Sequence, residues 1–336
     1  MKELHYGKLK GENVIINFWR NKSSIYLKAN KKITSKVADQ LNPFFKLSHN
    51  IDNFLKDWTI LCLPNGENTL FNDLSFSKIQ LNQGPEPNFL IYFCGNSKII
   101  GIKESDNDEW IIQNIIRLIR VLSRFQLSEK GEIFAHGGLI KSNDRGLCFI
   151  GEKKSGKTSS IISYLKNFGG YFISNDDVSI SIDDLGFLKG KGWPRSVVVR
   201  QDTLTILNLK KVNKLNHPLN NKIDNCFYPK EFATWLNTEI LSETTIDYII
   251  FPKFEKLNYP KIEELEFEEG IIRLQQHIQK KPGKYLDYLI PWFKLGDNRF
   301  YQSFFENKNI MFLELKQNFE DLNLASKYLN EYIKMR

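Results

Sequence analysis

Paired cysteines are missing from this 336-residue sequence, which contains only four cysteines. They are widely spaced, and three of them lie in apolar runs such as LCL, IYFC and GLCFI; the four are Cys62, Cys94, Cys148 and Cys226. A structural zinc site usually has two cysteines a few residues apart, and no such pair occurs. The pattern disfavours zinc and predicts buried thiols in a reducing compartment.

Long apolar runs are missing as well. Nowhere do 18 apolar residues follow one another, and the first residues, MKELHYGKLKGENVIINFW, lack the apolar segment of a signal peptide. We therefore expect no membrane partner and a cytoplasmic location.

A dense basic run with interleaved aromatic residues is the third absence, so a nucleic-acid partner is not expected. The charge balance is nevertheless positive, with 47 Lys and Arg against 39 Asp and Glu, a net charge of +8. Such a surface favours polyanionic ligands such as nucleotides or acidic peptides.

The composition that is present is that of an ordered globular protein, with 41% hydrophobic residues and 25 Phe. The length predicts two domains, or one domain with a large appendage. Residues 1–105 contain short β-rich runs separated by Asn, Gly and Pro, and we interpret them as an α+β module of unknown role. Residues 106–336 contain every motif discussed below. The predicted strands of the first module are Val14 to Trp19, Ile25 to Leu27, Trp58 to Leu63 and Phe89 to Cys94.

Helical periodicity begins after this module. Apolar residues from Trp110 to Phe125 share one face of a predicted helix, while three arginines share the opposite face. Packing on the following domain is favoured, with a membrane-surface helix as the alternative. Further strands are predicted at Glu132 to Ile140, Gly146 to Ile150, Tyr171 to Asn175, Ser196 to Val199, Ile246 to Phe251 and Ile310 to Leu315, and further helices up to about Asn167, at Gly270 to Gln279 and at the end of the chain.

The segment GEKKSGKT, directly after the strand GLCFI, predicts a phosphate-binding loop. Such a loop needs glycines that let backbone N–H groups surround phosphate oxygens, a lysine for the β- and γ-phosphates, and a hydroxyl for Mg²⁺, all at the N-terminus of a helix. Lys157 and Thr158 supply the last two groups. The predicted nucleotide-binding residues are Gly151, Glu152, Lys153, Lys154, Ser155, Gly156, Lys157, Thr158 and Ser159.

Two adjacent acids, Asp176 and Asp177, follow one helix and one strand after the loop. A helix of about 11 residues rises roughly 16 Å, and a five-residue strand returns about the same distance. The acids should therefore lie level with the loop, at the carboxyl edge of the sheet. One could accept a proton and the other could hold Mg²⁺. The second pair, Asp183-Asp184, precedes Gly186 and is interpreted as a hairpin turn.

Three more residues are candidates for the same chemistry. His136, just before Gly137-Gly138, could polarise a phosphoryl oxygen or relay a proton, or it could be structural. Arg195 and Arg200 flank the strand after Trp193-Pro194 and could pair with phosphate, or they could be surface residues.

These residues together resemble the HPr kinase/phosphorylase family and its looser relatives. The resemblance rests on His136-Gly137, the loop, Gly169-Gly170 and the strand ending in Asp176-Asp177, and it is strongest over residues 131–200. It implies a phosphoenolpyruvate carboxykinase-like α/β core, ATP and Mg²⁺ as cofactors, Asp176 as the base, and a homo-oligomer as one arrangement. Two departures argue against HPr as the substrate. Ser159 stands where true HPr kinases have an acid, and residues 195–205 lack their metal-binding glutamate.

The resulting fold prediction is an α/β protein with an HPr kinase-like P-loop core. The function predicted first is an ATP- and Mg-dependent kinase for a Ser or Thr hydroxyl of a peptide or protein, as in peptide natural-product modification. Catalytic residues are then Asp176, Lys157 and His136, and the metal residues are Thr158 and Asp177. A nucleotide-gated binding module without phosphoryl transfer, and a small-molecule kinase, stay open as alternatives.

Overall fold

The structure is a computed structural model, and we describe residues 13–20, 22–49, 56–63, 76–82, 86–104, 107–212, 215–221, 225–279, 287–294 and 310–336. Contacts divide the chain into two compact units. One unit comprises Met1–Leu127 and Gly283–Lys294, and the other comprises Ser128–Pro282 and Leu295–Arg336. This division differs from the predicted limits of 1–105 and 106–336, because the long helix predicted to pack on the following domain is counted, up to Leu127, with the first unit.

The described part of the first unit contains one mixed sheet and two helices, which is the α+β composition predicted for it. The strands are β1 (Asn13–Arg20), β2 (Ser23–Asn30), β3 (Lys46–Ser48), β4 (Thr59–Leu63), β5 (Ser77–Leu81), β6 (Phe89–Cys94) and β7 (Ile99–Lys103), and the helices are α1 (Lys31–Leu41) and α2 (Asp108–Ser128). The strand order in the sheet is β3-β1-β2-β4-β7-β6-β5.

A return segment, Asp287–Trp292 with the following Phe293, completes this unit although it lies far along the chain. The Phe293 ring stacks on Trp58 at a centroid distance of 5.3 Å and lies 5.0 Å from Phe125. Leu289 is fully buried. The first unit therefore takes part of its apolar core from residues near position 290.

The second unit is a mixed α/β structure with several sheets. Its strands are β8 (Ile133–Ala135), β9 (Gly137–Ser142), β10 (Arg145–Ile150), β11 (Tyr171–Ser174), β12 (Val178–Ile182), β13 (Leu188–Lys191), β14 (Val197–Val198), β15 (Cys226–Phe227), β16 (Glu239–Ile240), β17 (Glu243–Thr245), β18 (Tyr248–Phe254), β19 (Lys261–Leu265) and β20 (Met311–Gln317). Its helices are α3 (Lys157–Phe168), α4 (Gln201–Ile206), α5 (Pro229–Trp235), α6 (Phe267–Gln276) and α7 (Leu322–Met335).

The main sheet of this unit has the order β16-β11-β9-β10-β18-β20-β19, and a smaller sheet has the order β17-β13-β12-β8. Strands β10, β18 and β20 are parallel to one another. Strand β9 is antiparallel to both of its neighbours, β10 and β11. Strands β10 and β11 consequently run in the same direction, and their carboxyl ends lie at the same edge of the sheet.

The continuous apolar run of β10 reflects burial on both faces. Leu147 and Phe149 belong to one apolar cluster, which also contains residues of α3 and α7. Cys148 and Ile150 belong to the other cluster, together with residues of β12 and α6. Alternate side chains of a strand point to opposite faces, so a strand covered on both sides needs apolar residues throughout.

Several sequence predictions are settled by these elements. The four cysteines are free and buried, as expected, and burial raises the pKa of the Cys62 thiol to about 12. The turn at Asp183 is also confirmed, since the Asp183 carboxylate accepts the N–H groups of Leu185 and Phe187 between β12 and β13. No helix among the described residues combines the length and the apolar character needed to cross a membrane.

Two predicted elements were wrong in detail. The run from Glu132 to Ile140 is not one strand, because it breaks at His136 into β8 and β9, which belong to different sheets. The predicted helix Gly270 to Gln279 begins at Phe267 and ends at Gln276. Its last three predicted residues instead lie beside β8, where they satisfy main-chain groups of that strand.

Candidate phosphate-binding site

The loop between β10 and α3 has the backbone that its glycines predict. Gly156 has φ = +107° and Lys154 has φ = +73°, both in the left-handed region. A Cβ on Gly156 would also lie 2.9 Å from Gln317 Nε2 and from the Phe254 ring. Conformation and space therefore both require glycine at the entrance to α3. The first turn of α3 contains no acidic residue, so its first N–H groups, which have no acceptor within a helix, and its helix dipole favour an anion.

Lys157 lies inside this loop. Its ammonium donates hydrogen bonds to the carbonyl oxygens of Gly151 at 2.9 Å and Glu152 at 2.7 Å, and the residue is 5% exposed. Burial lowers the pKa of Lys157, while the negative charges of Asp176 and Glu152 act in the opposite direction. The lysine thus places a positive charge at the centre of the loop.

Four of the other residues predicted to bind nucleotide are placed in two ways. Glu152, Lys153 and Lys154 are exposed at the loop surface. Ser159 is buried instead, and its hydroxyl pairs with the Thr203 hydroxyl at 3.0 Å. The Ser159 side chain therefore contacts α4.

Thr158, the predicted Mg²⁺ ligand, has a partner that the sequence reasoning missed. Its hydroxyl donates to Asn175 Oδ1 at 2.9 Å, and Asn175 is 3% exposed at the end of β11. Because the single hydroxyl proton is used in this bond, the lone pairs of the Thr158 oxygen are left for another ligand. Asn175 directly precedes the two aspartates, but no motif distinguished it.

Asp176 lies on the turn that follows β11, level with the loop as the length argument predicted. It has φ = +69°, a conformation that Asp tolerates better than most residues. Its carbonyl oxygen accepts a hydrogen bond from His136 Nδ1 at 3.0 Å. Among the described residues its carboxylate has no hydrogen-bond or ion-pair partner, and it interacts electrostatically with Lys157.

His136 is oriented by that same contact. A carbonyl oxygen only accepts, so Nδ1 must carry the proton, and Nε2 of the neutral ring is an acceptor. Burial lowers the pKa of His136, and the Lys157 charge adds to this effect, while Asp176 opposes it. The structure thus places an imidazole with a defined tautomer beside the acidic turn.

Asp177, the second predicted metal residue, is held by protein groups. It is 1% exposed; Arg195 Nη1 lies 2.8 Å from its Oδ2, and Gln279 Nε2 lies 3.3 Å from its Oδ1. The Asp177 carboxylate is the main cause of the raised pKa of Arg195. Both oxygens therefore already have partners, which gives Asp177 a role in fixing Arg195 and the acidic turn. Its binding of metal stays a prediction.

Arg195 and Arg200 are placed differently. Arg195 is brought to the acidic turn by its pairing with Asp177, and its side chain is 38% exposed. Arg200 precedes α4 and forms an ion pair with Asp202 at 2.9 Å, with 63% of its side chain exposed. Among the described contacts, none joins Arg200 to the loop.

No group of three or more His, Cys, Asp or Glu side chains in the described part of the chain could hold a metal.

Comparisons with known proteins add little to this geometry. No protein-family model matches the sequence, and no curated protein matches it. Among solved structures, the chain is similar to the Hpr(Ser) kinase/phosphatase from Coxiella burnetii at 12% identity, over 60% of this chain and 97% of that chain, with a TM-score of 0.29. Because the identity and the TM-score are both low, this similarity carries no functional conclusion, and the function is inferred from the residues of the site.

Proposed function

We propose that this protein is an ATP- and Mg²⁺-dependent kinase that phosphorylates a Ser or Thr hydroxyl of a peptide or protein. The observation that carries the proposal is the location of Lys157 and Asp176 at one sheet edge. A buried ammonium lies in a glycine loop at a helix N-terminus, and a carboxylate without a hydrogen-bond partner among the described residues lies on the adjacent turn. In kinases a lysine balances the charge of the phosphates, and a carboxylate accepts the proton of the attacking hydroxyl.

The residues present fit Mg²⁺ and a triphosphate. The loop supplies main-chain N–H groups and Lys157, and the Thr158 oxygen keeps lone pairs for a cation. Mg²⁺ commonly takes few protein ligands, because it keeps several waters and binds phosphate oxygens. A site without a cluster of three acidic or histidine ligands is therefore suitable. Bound Mg²⁺ would neutralise charge that develops on the phosphate oxygens.

Each residue then has a separate role in the transfer. Asp176 accepts the proton of the attacking hydroxyl while the new bond forms between that oxygen and the γ-phosphorus. The bond between the γ-phosphorus and the β–γ bridging oxygen breaks, and ADP leaves with Lys157 balancing its charge. His136 holds the Asp176 carbonyl and so fixes the turn that carries the base.

Substitution of the proposed base gives the first test. Asp176→Asn removes the proton acceptor at nearly constant shape, and we expect transfer to fall by about 10²- to 10⁴-fold while ATP binding changes little. Transfer of label from γ-labelled ATP to Ser- and Thr-containing peptides measures this, with ATP binding measured in parallel. Lys157→Ala is the comparison and should lose both. Full activity of Asp176→Asn would remove Asp176 as the base.

A nucleotide-gated binding module is the second candidate, and the Asp177 contacts favour it. Because Arg195 and Gln279 engage both oxygens of this acid, only Asp176 is left for chemistry. Wild-type protein that binds ATP but transfers no label to peptides or small alcohols would support this alternative. Label on a small alcohol alone would identify a small-molecule kinase.

A further inference from the structure

Strands β18 and β20 extend past the point where β10 gives way to the phosphate loop. Phe149 of β10 is paired with Ile250 of β18, and the loop begins two residues later at Gly151. Strand β18 continues to Phe254, whose partner on β20 is Gln317. At 3.3 Å per residue, the two strands reach about 7 Å beyond the level of Gly151. Their ends therefore flank the loop on one side.

The Phe254 side chain contacts the loop from this side. Alternate side chains of a strand share a face, and Phe254 shares its face with Tyr248 and Ile250, which belong to the apolar cluster that contains residues of α3. Two neighbouring ring atoms of Phe254, Cζ and Cε2, lie 2.9 and 3.2 Å from the position of a Cβ on Gly156. The ring therefore directs its edge, and not its face, at the entrance to α3.

Phe254 and Phe319 form an aromatic pair beside the loop. Phe319 lies in the turn Phe319–Asp321 that follows β20, 5.3 Å from Phe254 between ring centroids and at an interplanar angle of 87°. Rings at this angle meet edge to face, so Phe319 covers at most one face of Phe254. Both residues are half-buried. An aromatic ring that is partly open to solvent is a surface on which a nucleobase stacks.

The order of the strands gives the direction of a bound triphosphate. Asp176, the proposed base, follows β11, which lies on one side of β10, whereas β18 and β20 lie on the other side. The terminal phosphoryl group must lie near the group that accepts the proton of the attacking hydroxyl. The nucleoside end of the same ligand therefore leaves the loop on the opposite side, where Phe254 and Phe319 lie.

We propose that Phe254 stacks on the purine base of the nucleoside triphosphate, with Phe319 holding that ring in place. This inference rests on the proposed binding of ATP by the loop. Every base has a π face, so stacking requires a base without reading its hydrogen-bonding groups, and a purine offers the larger ring system. Phe254 is thus the residue through which the protein distinguishes a nucleoside triphosphate from a bare polyphosphate.

Affinities for ATP and for inorganic tripolyphosphate test the proposal in the whole chain with Mg²⁺. Phe254→Leu keeps an apolar side chain against Gly156 but has no ring. We expect it to weaken ATP binding by about tenfold and to leave tripolyphosphate binding within about twofold. Phe267→Leu is the matched control, because Phe267 is also half-buried and meets Phe312 edge to face at 5.6 Å, near the end of β20 away from the loop. It should change neither affinity.

Phe254→Trp gives a second readout that does not depend on affinity. An indole at this position should lose fluorescence when a purine stacks on it, so ATP should quench this variant more than the wild type, and tripolyphosphate should not. If Phe254→Leu does not fold, this comparison decides the question. Equal quenching of variant and wild type by ATP would overturn the proposal.

The outcomes separate this inference from the proposed function. Equal weakening of ATP and tripolyphosphate binding in Phe254→Leu, or no change in either, would show that Phe254 does not contact the base, although label transfer by the wild type would still support the kinase. Wild-type protein that loses ATP affinity selectively in Phe254→Leu but transfers no label would keep the base site and remove the kinase. If the wild type binds neither ligand, both proposals fail.

Discussion

At the scale of single residues, the site contains buried polar groups that have hydrogen-bond partners. Beside them lies a charged group that has none among the described residues. Asn175 and Asp177 are almost fully buried, and both bind neighbouring side chains. The Asp176 carboxylate has no hydrogen-bond partner among the described residues. Buried polar groups are normally satisfied by hydrogen bonds, so unpaired groups at the edge of such a network are candidates for contact with substrate.

Asn175 gives a prediction at this scale. Removing its amide in Asn175→Ala frees the Thr158 hydroxyl to rotate, so its lone pairs are no longer held towards the cation. We expect the Mg²⁺ concentration for half-maximal transfer to rise by about 10- to 100-fold, as for other residues that orient a metal ligand. The measurement is a Mg²⁺ titration of peptide phosphorylation at saturating ATP.

Asn167→Ala is the matched control for this titration. Asn167 lies on the same helix, α3, about 15 Å from Lys157 at 1.5 Å per residue. Its amide contacts Asn323 and Ser326, so its loss should not change the requirement for Mg²⁺. An Asn175→Ala variant with an unchanged Mg²⁺ titration would show that Thr158 needs no orientation by Asn175.

At the scale of elements, the position of α3 decides where the loop lies. Helix α3 is tied to α7 by polar contacts between their facing sides. The Ser163 hydroxyl donates to the Leu322 carbonyl at 2.8 Å, and the Tyr164 hydroxyl donates to Asn330 Oδ1 at 3.1 Å. Tyr164 is fully buried, and burial raises its pKa to about 12, so its hydroxyl stays protonated.

Tyr164→Phe tests the contribution of this contact. The ring is retained and one buried hydrogen bond is lost, so we expect the free energy of unfolding to fall by about 1 kcal/mol. Asn330 Oδ1 keeps a donor from Asn143, which limits the loss. Tyr332→Phe, also on α7 but at an exposed hydrogen bond to Glu264 of β19, should cost less. Denaturant unfolding measures the free energy of unfolding of both variants. Equal losses would contradict the stabilising contribution of the buried Tyr164 hydrogen bond.

At the scale of the whole molecule, the two units are not two consecutive stretches of sequence. Residues 287–294 belong to the first unit, where Leu289 and Phe293 are buried. Their neighbours are Trp58, Phe93 and Phe125, which lie on elements formed much earlier in the chain.

A cut at residue 127 therefore has a specific consequence. The fragment 128–336 contains Leu289 and Phe293 without the unit that buries them, and we expect it to bind a hydrophobic dye and to aggregate. The same fragment with residues 287–294 replaced by a Gly/Ser linker of equal length should bind much less dye. Equal dye binding by the two fragments would show that this segment does not need the first unit.

Sequence periodicity and loop chemistry were sufficient to predict much of the site. The glycine spacing predicted the loop between β10 and α3, and helix and strand lengths predicted that Asp176 returns to its level, because rise per residue is a property of the backbone alone. Burial of Cys148 on β10 was also predicted, since the five-residue run GLCFI around it contains no charge.

Tertiary structure decided the rest, because it depends on contacts between residues far apart in the chain. No local pattern shows that β9 lies between β10 and β11, that Arg195 and Gln279 engage Asp177, or that the chain after α6 pairs with β8. The sequence by itself determined the local chemistry of the phosphate loop and the acidic turn. Only the fold determined which groups meet there, since hydrogen bonds and ion pairs depend on distances that spacing along the chain does not set.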